Sequence, residues 1–196
     1  KTGDPKLIDQ YLKTIRSAPT ERKLGALDAA LHLAESILEN GGNFDAGISL
    51  YRAIFNDSSS NNPSAQGAAL AGLGRYGDAS VIPEIIRAAQ HPKSGLLEAP
   101  ALMALEYTKG LDAYESLLAS YPDAGDEMQL GLLGVMGRKK DPTFLDLLLE
   151  NTRSEDPSRQ ALAFEALIQS ELPGGADAVS EYVESRPADD RKFDIE

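Results

Sequence analysis

A pattern of apolar residues that returns every 31 to 32 positions constrains the fold of this chain more than any other feature. Its three clearest copies span residues 69–86, 101–118 and 132–149. The residues that correspond in this register are Leu73, Leu105 and Met136, and likewise Val81, Ala113 and Phe144. A fixed period of this length is typical of solenoids, in which each unit buries its apolar face against the next.

The spacing of apolar residues inside each copy is that of helices. Leu, Ile and Ala recur three or four residues apart, and no stretch alternates cleanly between apolar and polar residues over four or more positions. Each copy therefore predicts a helical hairpin, with a first helix rich in Ala and Leu, a short turn, and a second helix with larger apolar residues. A fourth copy begins at Pro157 and has a longer turn at residues 173–175. We predict an all-α fold, an α-solenoid of stacked hairpins.

We expect one domain over residues 1–196. Its parts are divergent N-terminal helices at 1–57, about four repeats at 63–186 and a C-terminal tail at 187–196. Residues 57–63, with the sequence DSSSNNP, predict a loop because each residue type favours turns or caps. In the N-terminal part, Thr20 is the predicted cap of a long helix that ends before Gly41.

Two aspartates match each other at the predicted start of the second helix. Asp78 and Asp141 occupy the same place in their copies. An aspartate there can accept hydrogen bonds from backbone N–H groups that have no partner within the helix. We therefore predict a structural role for both carboxylates.

A family resemblance rests on two runs of residues: Ala69, Leu70, Leu73, Gly74, Gly77, Asp78, Val81, Ile82, Pro83, Ile85 and Ile86, and then Asp156, Pro157, Arg159, Ala161, Ala163, Ala166 and Leu167. Over about residues 63–186 the pattern resembles the HEAT repeat in its bilin-lyase-type form. It departs at residues 108–110, where the turn is Thr-Lys-Gly, and residues 1–57 fit it only loosely. The resemblance implies a right-handed, armadillo-like superhelix whose second helices line a concave surface and which usually binds other proteins.

The charge of the chain argues against a nucleic-acid partner. The formal net charge is −12, and because residues 1–25 carry six basic and three acidic side chains, the remainder carries −15. Affinity for nucleic acid comes from clustered Lys and Arg, which neutralise phosphates. We expect no nucleic-acid partner.

The sequence predicts a soluble chain without membrane insertion. Its longest apolar candidate, Leu130–Gly137, is far shorter than the roughly 18 residues that a membrane-spanning helix needs. The chain begins at Lys1 rather than Met, which we interpret as processing or excision, so both the cytoplasm and export after removal of a signal peptide fit. The absence of cysteine excludes disulfides and thiolate chemistry.

Two segments imitate ligand-binding motifs. Residues 72–77, GLGRYG, match the glycine pattern of dinucleotide-binding proteins, but that motif requires a preceding strand, and here a helix precedes it. Since Gly74 aligns with Gly137 of a later copy, we interpret the segment as a helix and its turn. Residues 138–140, Arg-Lys-Lys, could bind an anion, but we expect them to complement the dipole of the preceding helix.

Neither metal binding nor catalysis is predicted. His32 is expected to pack in the core and His91 to cap a helix end, so no pair of ligands forms. Residues 123–127 resemble a calcium loop only faintly, because the alternating oxygen ligands are missing. No pair of carboxylates and no Ser-His-Asp set has the spacing of an active site. We therefore expect no enzyme activity, no cofactor and no metal.

The expected function is that of a non-catalytic scaffold that binds a peptide or protein on its concave face. Helix phase selects six polar residues on second helices as candidates for the partner surface: Arg52, Glu84, Arg87, Glu115, Asp146 and Glu181. Tyr51, Tyr114 and Tyr182 lie on the apolar stripes of these helices, and we expect them to pack in the core. The alternatives are a HEAT-like nucleic-acid enzyme of the glycosylase type and a bilin-lyase-like handling of pigment.

Overall fold

The computed structural model describes residues 5–56, 62–90 and 96–185, and all regular structure in these ranges is helical. The all-α prediction is confirmed. The helices are α1 Pro5–Ser17, α2 Thr20–Glu39, α3 Phe44–Phe55, α4 Pro63–Tyr76, α5 Val81–Ala89, α6 Glu98–Tyr107, α7 Leu111–Ser120, α8 Asp126–Lys139, α9 Leu145–Asn151, α10 Pro157–Ser170 and α11 Gly175–Ser185, and a short 3-10 turn at Pro142–Phe144 precedes α9.

The chain divides into two compact units, Lys1–Ser120 and Tyr121–Glu196. We call them unit 1, which contains α1 to α7, and unit 2, which contains α8 to α11. The expectation of one solenoid domain over the whole chain stays a prediction, as does the C-terminal tail, since residues 187–196 lie outside the described part of the chain.

Unit 1 is held together by helix packing both within hairpins and between neighbouring hairpins. Helix α2 packs on α3, α3 on α4, α4 on α6, and α5 on α7. Side chains from these helices form one core, and its largest fully buried members are Leu27, Ile37, Leu50, Ile54, Leu70, Leu73, Ile82, Ile85, Leu105 and Leu117. Each fully buried Leu or Ile contributes about 1.5–3 kcal/mol to the free energy of folding, so this core is the main source of stability in unit 1.

Unit 2 repeats the arrangement with fewer helices. Helix α10 packs on α8, and both α9 and α11 pack against α10. Phe144, Leu132 and Met136 are all fully buried here. All six residues that the 31 to 32 residue register aligns are buried, from Leu73 to Phe144.

Two aligned glycines lie where neighbouring first helices approach each other closely. A Cβ on Gly74 would lie 2.0 Å from the Ala104 carbonyl oxygen of α6, within unit 1. A Cβ on Gly137 would lie 2.7 Å from the Ala166 Cα of α10, within unit 2. Both helix pairs therefore cross with backbone nearly touching backbone, which a residue larger than glycine prevents.

A glutamine recurs in the first turn of three first helices and makes the same bond each time. The side-chain amides of Gln66, Gln129 and Gln160 donate to the carbonyls of Phe55, Tyr121 and Thr152, at 3.1, 3.0 and 2.8 Å. Each acceptor lies at or just after the end of the preceding second helix, where carbonyls lack partners within the helix. Gln66 and Gln129 are two periods of the repeat apart, and Gln129 and Gln160 are one period apart, so the spacing of the glutamines is the sequence signal for this bond.

Both turn aspartates accept backbone hydrogen bonds as predicted, but Asp78 does not cap α5, whose cap position belongs to Ser80. Asp78 Oδ1 accepts from the backbone N–H and the hydroxyl of Ser80, at 2.9 and 2.5 Å, just before α5. Asp141 Oδ1 accepts from the same two groups of Thr143, at 3.0 and 2.5 Å. The carboxylates thus fix the turns that lead into the second helices.

Helices α2 and α4 begin in different ways. The cap predicted at Thr20 is wrong, because α2 begins at Thr20 itself and the cap position belongs to Pro19, which makes no side-chain cap bond. In the predicted loop, residues 57–61 lie outside the described residues. Asn62 caps α4 by accepting from Ala65 N at 3.2 Å, and Pro63 is the first helical residue.

Candidate partner-binding surface

The six candidate residues lie on five second helices. In unit 1, Arg52 is on α3, Glu84 and Arg87 on α5, and Glu115 on α7. The structure brings two of them together, with Arg52 Nε 2.9 Å from Glu84 Oε2 and the two side chains 40% and 24% exposed. Arg87 and Glu115 are exposed.

The second helices of unit 1 are tied to one another side by side. The Arg52–Glu84 ion pair bridges α3 and α5. The Ser116 hydroxyl of α7 donates to the Ala79 carbonyl in the turn before α5, at 3.1 Å. We call the exposed residues of α3, α5 and α7 the second-helix surface of unit 1.

A groove opens on this surface between α3 and α5. Its volume is about 250 Å³, and its lining consists of Phe44, Asp45, Ile48, Ser49, Arg52, Asp78, Ser80 and Val81. Ile48 and Val81 are buried and form an apolar floor, whereas the Phe44 side chain is 47% exposed. We call it the α3–α5 groove, and it combines an open aromatic ring with polar side chains.

The α3–α5 groove is acidic. Its lining contains the carboxylates of Asp45 and Asp78 and a single basic side chain, Arg52, which is paired with Glu84. The hydroxyl of Ser80, followed by its backbone N–H, holds the pKa of the Asp78 carboxyl below its usual range, and the charge of Arg52 lowers it further. Asp78 is therefore ionised at neutral pH.

The remaining two candidates, Asp146 on α9 and Glu181 on α11, are exposed in unit 2. Unit 2 has its own groove of about 570 Å³, lined by Tyr121, Pro122, Gln129, Leu147, Glu150, Asn151, Arg153, Ser154 and Arg159. Neither Asp146 nor Glu181 lines it.

The polar side chains of the unit 2 groove bond to one another. The Arg159 guanidinium donates to Gln129 Oε1 at 2.7 Å and to the Tyr121 hydroxyl at 3.3 Å, and it lies 3.3 Å from Asp126 Oδ1. The Tyr121 hydroxyl in turn donates to Asn151 Oδ1 at 3.0 Å. We interpret this network as structural, since its partners come from the protein itself.

The dinucleotide-like segment is part of a helix, as expected. Residues 72–76 lie within α4, and Gly77 caps its end. A Cβ on Gly72 would lie 2.3 Å from the Tyr51 ring, so the glycine makes room for that buried side chain. Tyr51 stacks on Tyr76 with 6.4 Å between ring centroids, and burial, together with the nearby Glu35 charge, raises the pKa of Tyr51.

The other two tyrosines of second helices are half-buried. The Tyr182 ring lies 4.2 Å from the Phe164 ring, centroid to centroid, and its hydroxyl donates to Gln160 Oε1 at 3.3 Å. The Tyr182 side chain thus has a structural role, which is packing inside its own hairpin. Tyr114 also lies on its second helix as predicted.

The basic run lies at the C-terminal end of α8. Arg138 and Lys139 form the last turn of the helix, and Lys140 follows it. Lys140 Nζ pairs with Glu171 Oε1 at 2.6 Å. Basic side chains at the C-terminal end of a helix interact favourably with its dipole, as expected for this run.

The core position predicted for His32 is wrong. Its side chain is 75% exposed, and its Nε2 lies 3.8 Å from Asp28 Oδ2. The buried stripe of α2 consists of Leu27, Ala30, Ala34 and Ile37, and the phase of the helix places His32 on the other side. His91 lies outside the described residues.

Within the described ranges, no three His, Cys, Asp or Glu side chains are grouped so as to hold a metal ion. Over the same ranges, no helix has both the length and the apolar character required to cross a membrane. No protein-family model matches the chain, and no curated protein is similar to it in sequence.

Proposed function

We propose that the chain is a non-catalytic scaffold, a right-handed α-solenoid of HEAT-like hairpins, which holds a peptide or protein on its second helices. The α3–α5 groove carries this proposal. It places an exposed aromatic ring, an apolar floor and charged side chains on the face where the HEAT resemblance puts partners. Interfaces of this kind are anchored by aromatic residues and Arg inside a polar rim.

The repeated contacts inside each unit support the solenoid. The aligned Gly74 and Gly137 both touch an alanine of the next first helix. The equivalent glutamines close the ends of second helices in both units. Hairpins that share such contacts can stack in one direction and leave a row of second helices for a partner.

Site-specific photo-crosslinking in the cells that express the gene tests the function. A photoreactive phenylalanine replaces Arg87 on α5 or Glu115 on α7, and in the control it replaces Asp28, which is exposed on α2. We expect both second-helix positions to be joined to the same protein and the α2 position not to be. Absence of an adduct, or equal adducts at all three positions, would contradict the proposal.

A further inference from the structure

The α3–α5 groove has the size of one long side chain. Pockets that bury a drug-sized molecule have volumes of roughly 300–1,000 Å³. The groove has about 250 Å³ and is open to solvent along the second-helix surface. It therefore suits a single side chain that projects from a peptide partner.

The negative charge of the groove favours a positively charged side chain. The lining contains two carboxylates, Asp45 and Asp78, and one basic side chain, Arg52, whose charge also acts on Asp78. Because Arg52 is already paired with Glu84, the two carboxylates still give the groove a net negative charge. Both hydrogen bonds that Asp78 accepts go to Oδ1, which leaves Oδ2 for a further donor. Among the described residues, Asp45 forms no ion pair or side-chain hydrogen bond, and it is exposed.

The ring of Phe44 favours an arginine over a lysine as the cation. Phe44 lines the same groove and is 47% exposed, which leaves its ring accessible to a planar group. Guanidinium groups stack on aromatic faces and donate to carboxylates in a fixed fork, whereas the ammonium of Lys is a compact and strongly hydrated charge. The combination of Phe44 with two carboxylates favours arginine.

We propose that the α3–α5 groove binds an arginine side chain of a peptide partner, with the guanidinium held by Asp45 and Asp78 and stacked on Phe44. This rests on the proposed scaffold function and specifies its partner. The aliphatic stem of the arginine lies against Ile48 and Val81, and the strongly acidic remainder of the chain attracts a basic segment at long range.

Selection from a phage-displayed library of random linear peptides on the intact chain tests the proposal. We expect the enriched peptides to share an arginine, and fluorescence polarisation of a labelled enriched peptide to show about a tenfold weaker Kd when that arginine becomes Gln. A smaller loss is expected when it becomes Lys, because the stacking and the fork are lost while the charge stays.

Variants of the protein complete the test. Asp45→Asn with Asp78→Asn, and separately Phe44→Ala, should each weaken binding of the arginine peptide about tenfold. Glu21→Gln with Asp28→Asn is the matched control, because it removes the same charge from exposed residues of α2 that do not line the groove. Thermal unfolding checks that each variant is folded, and Asn at position 78 retains an acceptor for the turn.

The outcomes separate the two proposals. Peptides that lose binding with Phe44→Ala but share no arginine would overturn the arginine site and leave the scaffold function standing. A second outcome would also overturn only the arginine site: an arginine peptide that binds the groove variants as tightly as the wild type but is crosslinked to the Arg87-substituted protein. Such a peptide would bind the second helices outside the groove. If no peptide is enriched and no crosslink forms at the second helices, both proposals fail.

Discussion

Lys140 and Glu171 occupy the same place in successive hairpins, and each has a left-handed backbone, with φ of 53° and 55°. Each follows the last residue of a first helix, α8 or α10, and the Lys140 ammonium lies 2.6 Å from the Glu171 carboxylate. Glycine is the usual residue at such helix ends, because a Cβ makes the left-handed conformation unfavourable. The ion pair is exposed, so it offsets only part of that cost.

We expect Lys140→Gly to stabilise the chain by about 0.5–1 kcal/mol, because relief of the left-handed conformation outweighs the lost ion pair and the added freedom of the unfolded chain. Urea unfolding measures the difference. The same substitution one residue earlier, Lys139→Gly, lies inside the last turn of α8 and should destabilise by about 1 kcal/mol. Equal effects of the two variants would show that backbone conformation at 140 does not matter.

Gly74→Ala should destabilise unit 1 by about 2–3 kcal/mol, because the new methyl group would meet the Ala104 carbonyl at 2.0 Å and push α4 away from α6. Gly25→Ala is the control. Gly25 lies inside α2 with no atom within 4 Å of its added Cβ, so alanine should stabilise by about 0.5–1 kcal/mol. Thermal unfolding followed by circular dichroism compares them, and a Gly74→Ala variant as stable as Gly25→Ala would rule out the close approach.

The buried register residues were predictable because periodicity alone defines them. Leu73, Leu105 and Met136 are fully buried, and each is the large apolar residue around which its copy of the pattern was aligned. The turn bonds of Asp78 and Asp141 were also predictable, since each joins residues only two positions apart.

The buried face of α2 does not follow its leucines. Leu24 is 63% exposed, and two alanines, Ala30 and Ala34, carry the buried stripe together with Leu27 and Ile37. Alanine is common on both faces of helices, so it marks a core face weakly. His32 was therefore placed on the wrong side.

The candidate site depends on contacts that local patterns do not contain. The α3–α5 groove exists because Phe44 and Val81, far apart in sequence, line the same depression. The Arg52–Glu84 pair likewise joins residues 32 positions apart. Helix phase located both residues on the surface, but only packing shows that they neutralise each other.

Gln66→Ala should destabilise unit 1 by about 1 kcal/mol, because it leaves the Phe55 carbonyl at the end of α3 without its side-chain donor. Gln10→Ala serves as the comparison, since Gln10 is an exposed residue of α1 and alanine has the higher helix propensity. Urea unfolding should show a loss for the first variant and a small gain for the second. Two gains of equal size would mean that the glutamine bond contributes nothing.

The stability of the chain should fall in acid partly through Asp78. Because the folded state lowers the pKa of this carboxyl, its contribution is present above the ordinary aspartate pKa and is lost as the pH falls through the lower, folded value. We expect wild type and Asp78→Asn to differ most in free energy of unfolding at neutral pH and to converge below about pH 4. Ser80→Ala removes the hydroxyl that lowers the pKa of Asp78 most. This variant should therefore lose, at neutral pH, part of the free energy of unfolding that Asp78→Asn loses. A difference between wild type and Asp78→Asn that stays constant from neutral to acidic pH would show that the carboxylate charge does not stabilise this turn.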